Sequence, residues 1–149
     1  PEATRTDHRV RVLLCPARDE GDHAAIELLA ATLDPGRWDV EVAATEMLAS
    51  ELLIRIETQR PAALVIGSLP PGDLSHTRYL VARVRRNFPD LKIIVGRWGR
   101  GGVFLEEAAP GCTGADWMDA TLAETHKRLT DWFAVLAAQG PQALEKSAV

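Results

Sequence analysis

The sequence lacks most features that would assign it to a specialised class of protein. It has only two cysteines, Cys15 and Cys112, which cannot build a disulfide framework and do not form a C-x-x-C pair. No apolar run approaches the ~20 residues that a membrane span needs, and no signal-peptide pattern is visible. These absences favour a reducing, cytoplasmic setting.

The chain also lacks the basic excess of a nucleic-acid-binding module. Its formal net charge is −4 and its pI is about 5.6, so we expect no nucleic-acid partner. What is present is an ordinary globular composition, with 149 residues of which 46% are hydrophobic and 26% charged. That length fits one domain with a substantial core, and no internal repeat or low-complexity segment interrupts it.

Strand-like and helix-like segments alternate between residues 9 and 138. Apolar, β-rich runs predict five strands, at Val10–Cys15, Trp38–Ala43, Ala63–Gly67, Leu91–Gly96 and Asp116–Met118. Apolar residues at helical spacing predict five helices, at Asp22–Leu33, Met47–Gln59, 73–87, Val103–Ala108 and Thr121–Ala138. We therefore predict a flavodoxin-like, Rossmann-type α/β sandwich with helices on both faces of a five-stranded parallel sheet of order 2-1-3-4-5.

Helix caps and flexible ends complete this predicted organisation. Thr45 is expected to cap the second helix and Asp73 the third, because their side-chain oxygens can accept an N–H of the first turn. Residues 1–8 are polar and unpatterned, and are predicted to be a flexible arm or linker. Residues 139–149 contain a Gly-Pro break and are predicted to be a flexible tail, which leaves 9–138 as the folded domain.

A ligand site in such a sheet is expected outside the carboxyl ends of the strands, near the point where strand order reverses. Four loops of this sequence reach that edge, at Pro16–Gly21, Ala44–Glu46, Ser68–Asp73 and Arg97–Gly102. Each candidate residue can be judged by whether it lies in one of them.

The first loop concentrates charged residues, namely Arg18, Asp19, Glu20, Asp22 and His23. Glu20 and Asp19 precede His23 by three and four residues, a spacing that would bring a carboxylate and an imidazole together on a helix. The alternative is that Asp19 or Asp22 caps the first helix, where the helix dipole favours acidic residues. No second His or Cys cluster offers further ligands, so no metal site is predicted.

The glycine-rich stretch "GRWGRGG", Gly96 to Gly102, is a candidate anion site. Glycine lets backbone N–H groups approach an anion, and arginine supplies planar donors. With Arg18 and Arg78, Arg97 could form a positive pocket for a small anionic ligand. The alternative is a flexible turn with solvated arginines and a packed Trp98.

No catalytic set can be assembled from these loops, so no catalytic residue is predicted. Cys15 ends an apolar strand, a place typical of a small buried hydrophobe rather than a nucleophile. Ser68 and His76 have no G-x-S-x-G elbow that would indicate acyl transfer. A receiver-type phosphoacceptor is disfavoured because Ser68 stands where an Asp would follow the third strand. The first loop also has no G-x-G-x-x-G for a dinucleotide.

The stretches "VLLCPARDEGDHA", "VIGSLPPG" and "IIVGRWG" together resemble the cobalamin-binding domain family. That family carries D-x-H-x-x-G after the first strand, with the His as lower cobalt ligand. Its Ser-x-Leu and Gly-Gly pairs, after two later strands, line the channel of the nucleotide tail. The match puts Asp19 on the motif's Asp, Gly21 on its His and Ser68 on its Ser; Gly96 is kept, whereas Arg97 replaces the second Gly. The resemblance implies cobalamin as the candidate cofactor, with an incomplete ligand set.

The stretches "CPARDEGDHAA", "SLPPGDLSHTRYL" and "FPDLKIIVGRWG" are similar to a soluble extension of bacterial permeases of the autoinducer-2 exporter type. This resemblance implies a cytoplasmic domain of a larger protein, with a membrane protein as parent or partner. We therefore expect a non-catalytic regulatory or ligand-sensing domain. Its ligand-contacting residues are predicted to be Arg18, Asp19, Gly21, Ser68, His76, Gly96, Arg97 and Trp98.

Two alternative functions remain open from the sequence. The first is a cobalamin-binding module that lacks the usual His ligand or uses the displaced His23. The second is an oligomerisation or interaction domain, anchored by Trp38, Trp117 or Trp132 on exposed surfaces; for each tryptophan taken singly, however, a place in the core is expected.

Overall fold

The computed structural model describes residues 8–99 and 113–148, with side chains described as far as residue 138. Five strands are present in these ranges: β1 (Val10–Pro16), β2 (Trp38–Val42), β3 (Ala63–Gly67), β4 (Lys92–Gly96) and β5 (Trp117–Asp119). The helices are α1 (Glu20–Thr32), α2 (Ala49–Gln59), α3 (Ser75–Asn87) and α4 (Leu122–Ala148). All strand pairs are parallel and the order is β2-β1-β3-β4-β5, which confirms the predicted flavodoxin-like architecture.

The ends of four neighbouring strands lie side by side. Pro16 pairs with Gly67, Gly67 with Gly96, and Gly96 with Asp119. The carboxyl edge of the sheet is therefore nearly level from β1 to β5. The loops that follow these strands start from one line.

The sheet has a hydrophobic cluster on each face, because successive residues of a strand point to opposite sides. Leu13 and Leu64 pack in the cluster that includes the buried residues of α2 and α3. Val12 and Val65 pack in the other cluster, with the buried residues of α1 and α4. Burial on both faces explains why the central strands are continuous apolar runs rather than alternating ones.

Tryptophan positions bear on the predicted interaction surface. Trp38 is buried, and its ring centroid lies 5.4 Å from that of Phe133 in an edge-to-face contact. Trp38 therefore has the core position expected of a single tryptophan, and the alternative of an exposed Trp38 anchor is wrong. Trp117 and Trp132 are half-buried and pack against each other, with ring centroids 3.8 Å apart.

Some helix boundaries differ from the predicted ones. α1 begins at Glu20, two residues early, because Asp19 is its N-cap and accepts the Asp22 N–H. Thr45 does not cap α2; that helix begins at Ala49, where the Glu51 carboxylate accepts the N–H of Leu48. The helix thus has the glutamate half of a capping box, which satisfies the N–H of the cap residue, but no side chain at the cap that accepts an N–H of the first turn.

The start of α3 and the end of α4 can also be compared with their predicted positions. The prediction of Asp73 as the cap of α3 is wrong, because the N-cap is Leu74 and makes no side-chain cap hydrogen bond; the Asp73 carboxylate lies one residue earlier and accepts the N–H of Ser75 at 2.8 Å. α4 was predicted to end at Ala138 but continues to Ala148.

Several predictions fall on other parts of the chain. The arm at residues 1–7, the helix at Val103–Ala108 and the residues Arg100–Cys112 lie outside the described residues. Within the described ranges, no helix combines the length and apolar character that crossing a membrane requires.

Candidate functional site

The point where strand order reverses lies between β1 and β3, and a buried carboxylate joins the two loops there. Asp22 is 1% exposed. Its Oδ2 accepts the N–H of Arg18 at 3.1 Å in the β1–α1 loop, and its Oδ1 accepts the N–H of Leu69 at 2.8 Å in the β3–α3 loop. A buried carboxylate is tolerated only when hydrogen-bonded, and these two donors meet that need.

The role of Asp22 was not predicted from the sequence, which offered it only as an alternative cap. An aspartate in the first turn of a helix is ordinary on the surface, and nothing local distinguishes a buried one. The signal is the adjacency of β1 and β3, which places Leu69 within reach of a residue 47 positions earlier.

Arg18 extends from the β1–α1 loop across the β3–α3 loop. A Cβ on Gly72 would come within 1.7 Å of Arg18 Nη2, so the guanidinium lies against the Gly72 backbone. Its other neighbour is Asp19, whose Oδ2 lies 3.8 Å from the same nitrogen. The Arg18 side chain is one-third exposed (33%), so it remains accessible to a ligand from solvent.

Asp73 adds a second carboxylate beside Arg18. Hydrogen bonds from the N–H and hydroxyl of Ser75 lower the pKa of Asp73, and the charges of Arg18 and Arg78 lower it further. The Asp73 carboxylate is fully exposed. The surface above the β1 and β3 ends therefore holds arginine and aspartate charges in close proximity.

His23 and His76, the two histidines near this edge, do not form the side-chain pairs that their sequence spacing allowed. His23 Nε2 lies 3.5 Å from Glu27 Oε1, one turn further along α1, rather than pairing with Asp19 or Glu20. His76 is exposed at the start of α3, with its ring centroid 6.0 Å from that of Tyr79.

Ser68 is not positioned as a nucleophile. It is buried, and its Oγ accepts the hydroxyl of Thr77 at 2.9 Å. His76, the residue before Thr77 on α3, is exposed to solvent. The structure therefore does not bring Ser68 and His76 together as an acyl-transfer pair.

The segment after β4 packs inward. Arg97 is 4% exposed, and its Nη1 donates to the carbonyl of Ser68 at 3.2 Å. Trp98 is 6% exposed and lies over the end of β4, where a Cβ on Gly96 would come within 2.3 Å of the indole ring. Gly96 is thus required by this close approach, and the alternative of a packed Trp98 is confirmed.

A second buried carboxylate, Asp119, holds this segment to α4. Arg128 donates to it through Nη2 at 2.7 Å and through Nε at 3.2 Å, and Thr125 donates its hydroxyl at 3.0 Å. The indole N–H of Trp98 donates to the same Thr125 oxygen at 2.9 Å. Sequence reasoning missed this network because its members come from three separate elements.

Two candidate reactive features of the sequence can be checked here, the Cys15 thiol and a metal-binding cluster. Burial raises the pKa of the Cys15 thiol to about 12, so it stays protonated and non-nucleophilic at neutral pH. Across residues 8–99 and 113–138, no group of three or more His, Cys, Asp and Glu side chains could hold a metal ion.

Solved structures of two kinds share this fold. A cobalamin-binding protein from Desulfitobacterium hafniense DCB-2 is similar with a TM-score of 0.68 and 15% identity over 85% of this chain, which spans 60% of that protein. A signal receiver domain from Pseudomonas fluorescens Pf-5 has a TM-score of 0.59 and 17% identity, covering 91% of this chain and 94% of that one. A CheY-like protein from Pseudomonas aeruginosa PAO1 has a TM-score of 0.59 and 20% identity, covering 88% and 96%.

By sequence, no family model and no curated protein matches the chain. At these identities the structural similarity shows the flavodoxin-like fold and no more. The cobalamin resemblance therefore has to be tested on the residues themselves.

The residues present do not fit a cobalamin tail. The resemblance assigns the tail channel to the strand ends around Ser68 and Gly96. In this chain the Arg97 guanidinium is bonded to the Ser68 carbonyl, and the Trp98 indole covers Gly96. At the position of the cobalt-binding His stands Gly21, which has no ligating side chain.

Proposed function

We propose that this chain is a non-catalytic, regulatory domain that senses a small anionic molecule at the carboxyl edge of its sheet. The observation that supports this is the position of Arg18. Its guanidinium lies across Gly72, bridging the two loops that flank the reversal of strand order, and remains partly open to solvent. This is where ligands of open α/β sheets bind, and an arginine fork suits a carboxylate or phosphate.

The hydrogen bonding of the buried polar groups supports a non-catalytic role for the domain. Within residues 8–99 and 113–138, only the Gln59 side-chain oxygen is buried without a hydrogen-bond partner. Gln59 ends α2, at the opposite edge of the sheet from Arg18. At the carboxyl edge, Asp22, Ser68 and Asp119 all have protein partners, so they brace the loops instead of awaiting a reactant.

Thermal-shift measurements with inorganic phosphate, ATP, succinate and hydroxocobalamin test the sensing function. A ligand present at about 100 times its Kd stabilises the folded state by about 2.7 kcal/mol. For a chain of this size that corresponds to a rise in Tm of about 5–11 °C. We expect at least one of the phosphate or carboxylate compounds to produce such a rise.

Matched arginine variants make this test specific. Arg18→Gln should abolish the rise, whereas Arg37→Gln, which removes an exposed arginine at the α1–β2 turn, should preserve it. If no anion shifts Tm, or if both variants respond like the wild type, the proposed site is wrong.

The cobalamin-binding alternative has its own readout. Because Trp98 and Arg97 occupy the channel, we expect the protein to emerge colourless from incubation with hydroxocobalamin and gel filtration. A co-eluting cobalamin spectrum would instead support a cobalamin module, with His23 the first residue to substitute.

The finer proposal is that the domain belongs to a larger protein. It is supported by the similarity of the first, third and fourth loops to the extension of exporter-type permeases. In that setting, ligand binding at Arg18 would regulate the attached membrane region. Arg18→Gln in the full-length parent should then change the ligand dependence of transport while leaving the level of protein in the membrane unchanged.

A further inference from the structure

α3 carries an unusual charge for this chain. Its sequence, SHTRYLVARVRRN, has four arginines and no acidic residue. The chain as a whole has a net charge of −4, so the remainder carries −8. One helix of an acidic protein is therefore strongly basic.

One of these arginines, Arg85, has a structural task, and the charge of Arg78 also acts on the Asp73 carboxylate. Arg85 donates to the carbonyls of Pro89 and Leu91, and its Nη2 lies 2.8 Å from Asp116 Oδ2. It fastens the end of α3 to the start of β5, so it does not account for the charge on the outer surface.

The other arginines accompany the residues of α3 that face solvent. Tyr79, Ala82 and Arg86 are exposed and are spaced by three and four residues, so they lie on one stripe of the helix. Arg83 flanks this stripe on one side and Arg78 on the other. We call these five residues the α3 outward face.

The α3 outward face is partly preorganised. The Arg83 guanidinium lies over the Tyr79 ring, 5.7 Å from its centroid, and its Nη1 donates to the Tyr79 hydroxyl at 2.7 Å. The Tyr79 ring is nonetheless 48% exposed. Exposed tyrosine and arginine around a small residue are the types that dominate the binding energy of protein interfaces.

Intrinsic helix stability explains only part of this arrangement: the helix dipole favours Arg86 in the last turn, but it does not account for Arg78, Tyr79 or Arg83. Arg83 and Arg86 are three residues apart, where like charges repel, and α3 contains no acidic side chain to offset them. None of the five side chains belongs to either hydrophobic cluster. The face is therefore better explained by something that binds to it.

We infer that the α3 outward face docks a carboxylate-rich segment of a partner protein. The face is positively charged, so charge complementarity requires a negatively charged partner. The planar donors of arginine are suited to carboxylates. A nucleic-acid site normally extends over a broad basic surface, whereas the chain outside α3 carries −8, so an extended polyanion is less suited to this single helix than a short acidic segment. A lipid surface would call for aliphatic side chains, whereas the outward stripe offers only a tyrosine ring and Ala82.

Fluorescence anisotropy with a fluorescein-labelled octaglutamate peptide tests this inference. We expect binding at about 0.02 M salt that weakens markedly at about 0.15 M, as screening requires. Arg83→Gln/Arg86→Gln should weaken binding at least about tenfold. Arg37→Gln/Lys127→Gln removes the same charge from two exposed sites elsewhere and should change binding less than about twofold.

Two further variants separate docking from general electrostatics and from loss of folding. Tyr79→Ala keeps every charge and should still weaken binding several-fold. Arg83→Lys/Arg86→Lys retains the charge of the helix, and should bind more weakly than wild type because the planar forks are lost. Far-ultraviolet circular dichroism of each variant confirms that the helix is retained.

The inference is overturned by equal weakening in both double variants, by unaffected binding in Tyr79→Ala, or by no binding of the peptide at all. Tighter binding of an oligothymidylate or of phosphatidylserine vesicles would overturn it in favour of nucleic acid or membrane. The result is independent of the anion site, because Arg18→Gln should leave peptide binding unchanged.

Discussion

Each half of the carboxyl edge is held by a buried carboxylate, and the two carboxylates differ in the kind of hydrogen-bond donor that they accept. On the β1/β3 half, Asp22 takes its hydrogen bonds from the backbone N–H groups of two loops. On the β4/β5 half, Asp119 takes them from the side chains of Arg128 and Thr125 on α4. Backbone donors set the path of a loop, whereas side-chain donors attach a helix to the sheet.

Among the described residues, the difference leaves the surface above β1 and β3 more exposed than the surface above β4 and β5. Around Asp22 the loops are held from below, and Arg18 stays at the surface above them. Around Asp119 the network continues through Thr125 to the Trp98 indole, which fills the space over Gly96. The β1/β3 half is a braced surface, and the β4/β5 half is a packed interior.

Breaking the β4/β5 half should have the largest effect. Asp119→Ala leaves the Arg128 guanidinium without its buried partner, and we expect a loss of about 3 kcal/mol in the free energy of unfolding. Urea denaturation measures it. Asp131→Ala is the matched control on α4, since its exposed pair with Lys127 contributes only about 0.3–0.5 kcal/mol. Equal losses in the two variants would contradict the proposed role of Asp119.

Breaking the β1/β3 half should have a smaller effect that is local to the loops. Asp22→Asn keeps one carbonyl oxygen and turns an NH₂ group toward the second backbone donor, at a cost of about 1–3 kcal/mol. Amide hydrogen exchange should become faster at Arg18 and Leu69. Asp19→Asn in the same loop retains a good N-cap and should change stability by only a few tenths of a kcal/mol. Comparable effects would show that Asp22 does not join the loops.

The exposed carboxylate at the same edge should have the smallest effect, and one that depends on pH. The pKa of Asp73 is lowered from 3.8 in the folded state, so the ionised form stabilises the fold above that value. This stabilisation is lost as the pH falls through the folded-state pKa. The difference in the free energy of unfolding between wild type and Asp73→Asn should therefore be constant above about pH 5. It should decrease toward zero as the pH falls below 3.8. A difference that stays the same down to pH 2 would show that the ionised Asp73 carboxylate does not stabilise the fold.

The fold was accessible from sequence because each central strand is a continuous apolar run. β3 was predicted at its observed bounds, and β1 and β4 within one residue. Those runs follow from burial on both faces of a parallel sheet, which is a local property of the sequence. The Asp19 cap was within reach for the same reason, since capping acts over three residues.

The site was less accessible because its contacts join distant parts of the chain. Leu69, which donates to Asp22, lies 47 positions from it, and Ser68, which accepts from Arg97, lies 29 positions from it. Whether an arginine after a strand points to solvent or into the interior depends on these contacts. Arg97, which was predicted to contact a ligand or alternatively to be solvated in a turn, is in fact buried, and the Ser68 carbonyl directly after the neighbouring strand accepts its N–H.

The paired glycines Gly67 and Gly96 form a notch in the sheet that the chain fills with its own side chains. A Cβ on Gly67 would come within 2.8 Å of Ile26, and one on Gly96 within 2.3 Å of Trp98. Trp98→Gly would therefore empty a space shaped like an indole while leaving the strands intact. Such a variant is expected to be rescued by free indole, which would turn a structural side chain into a chemically controlled switch.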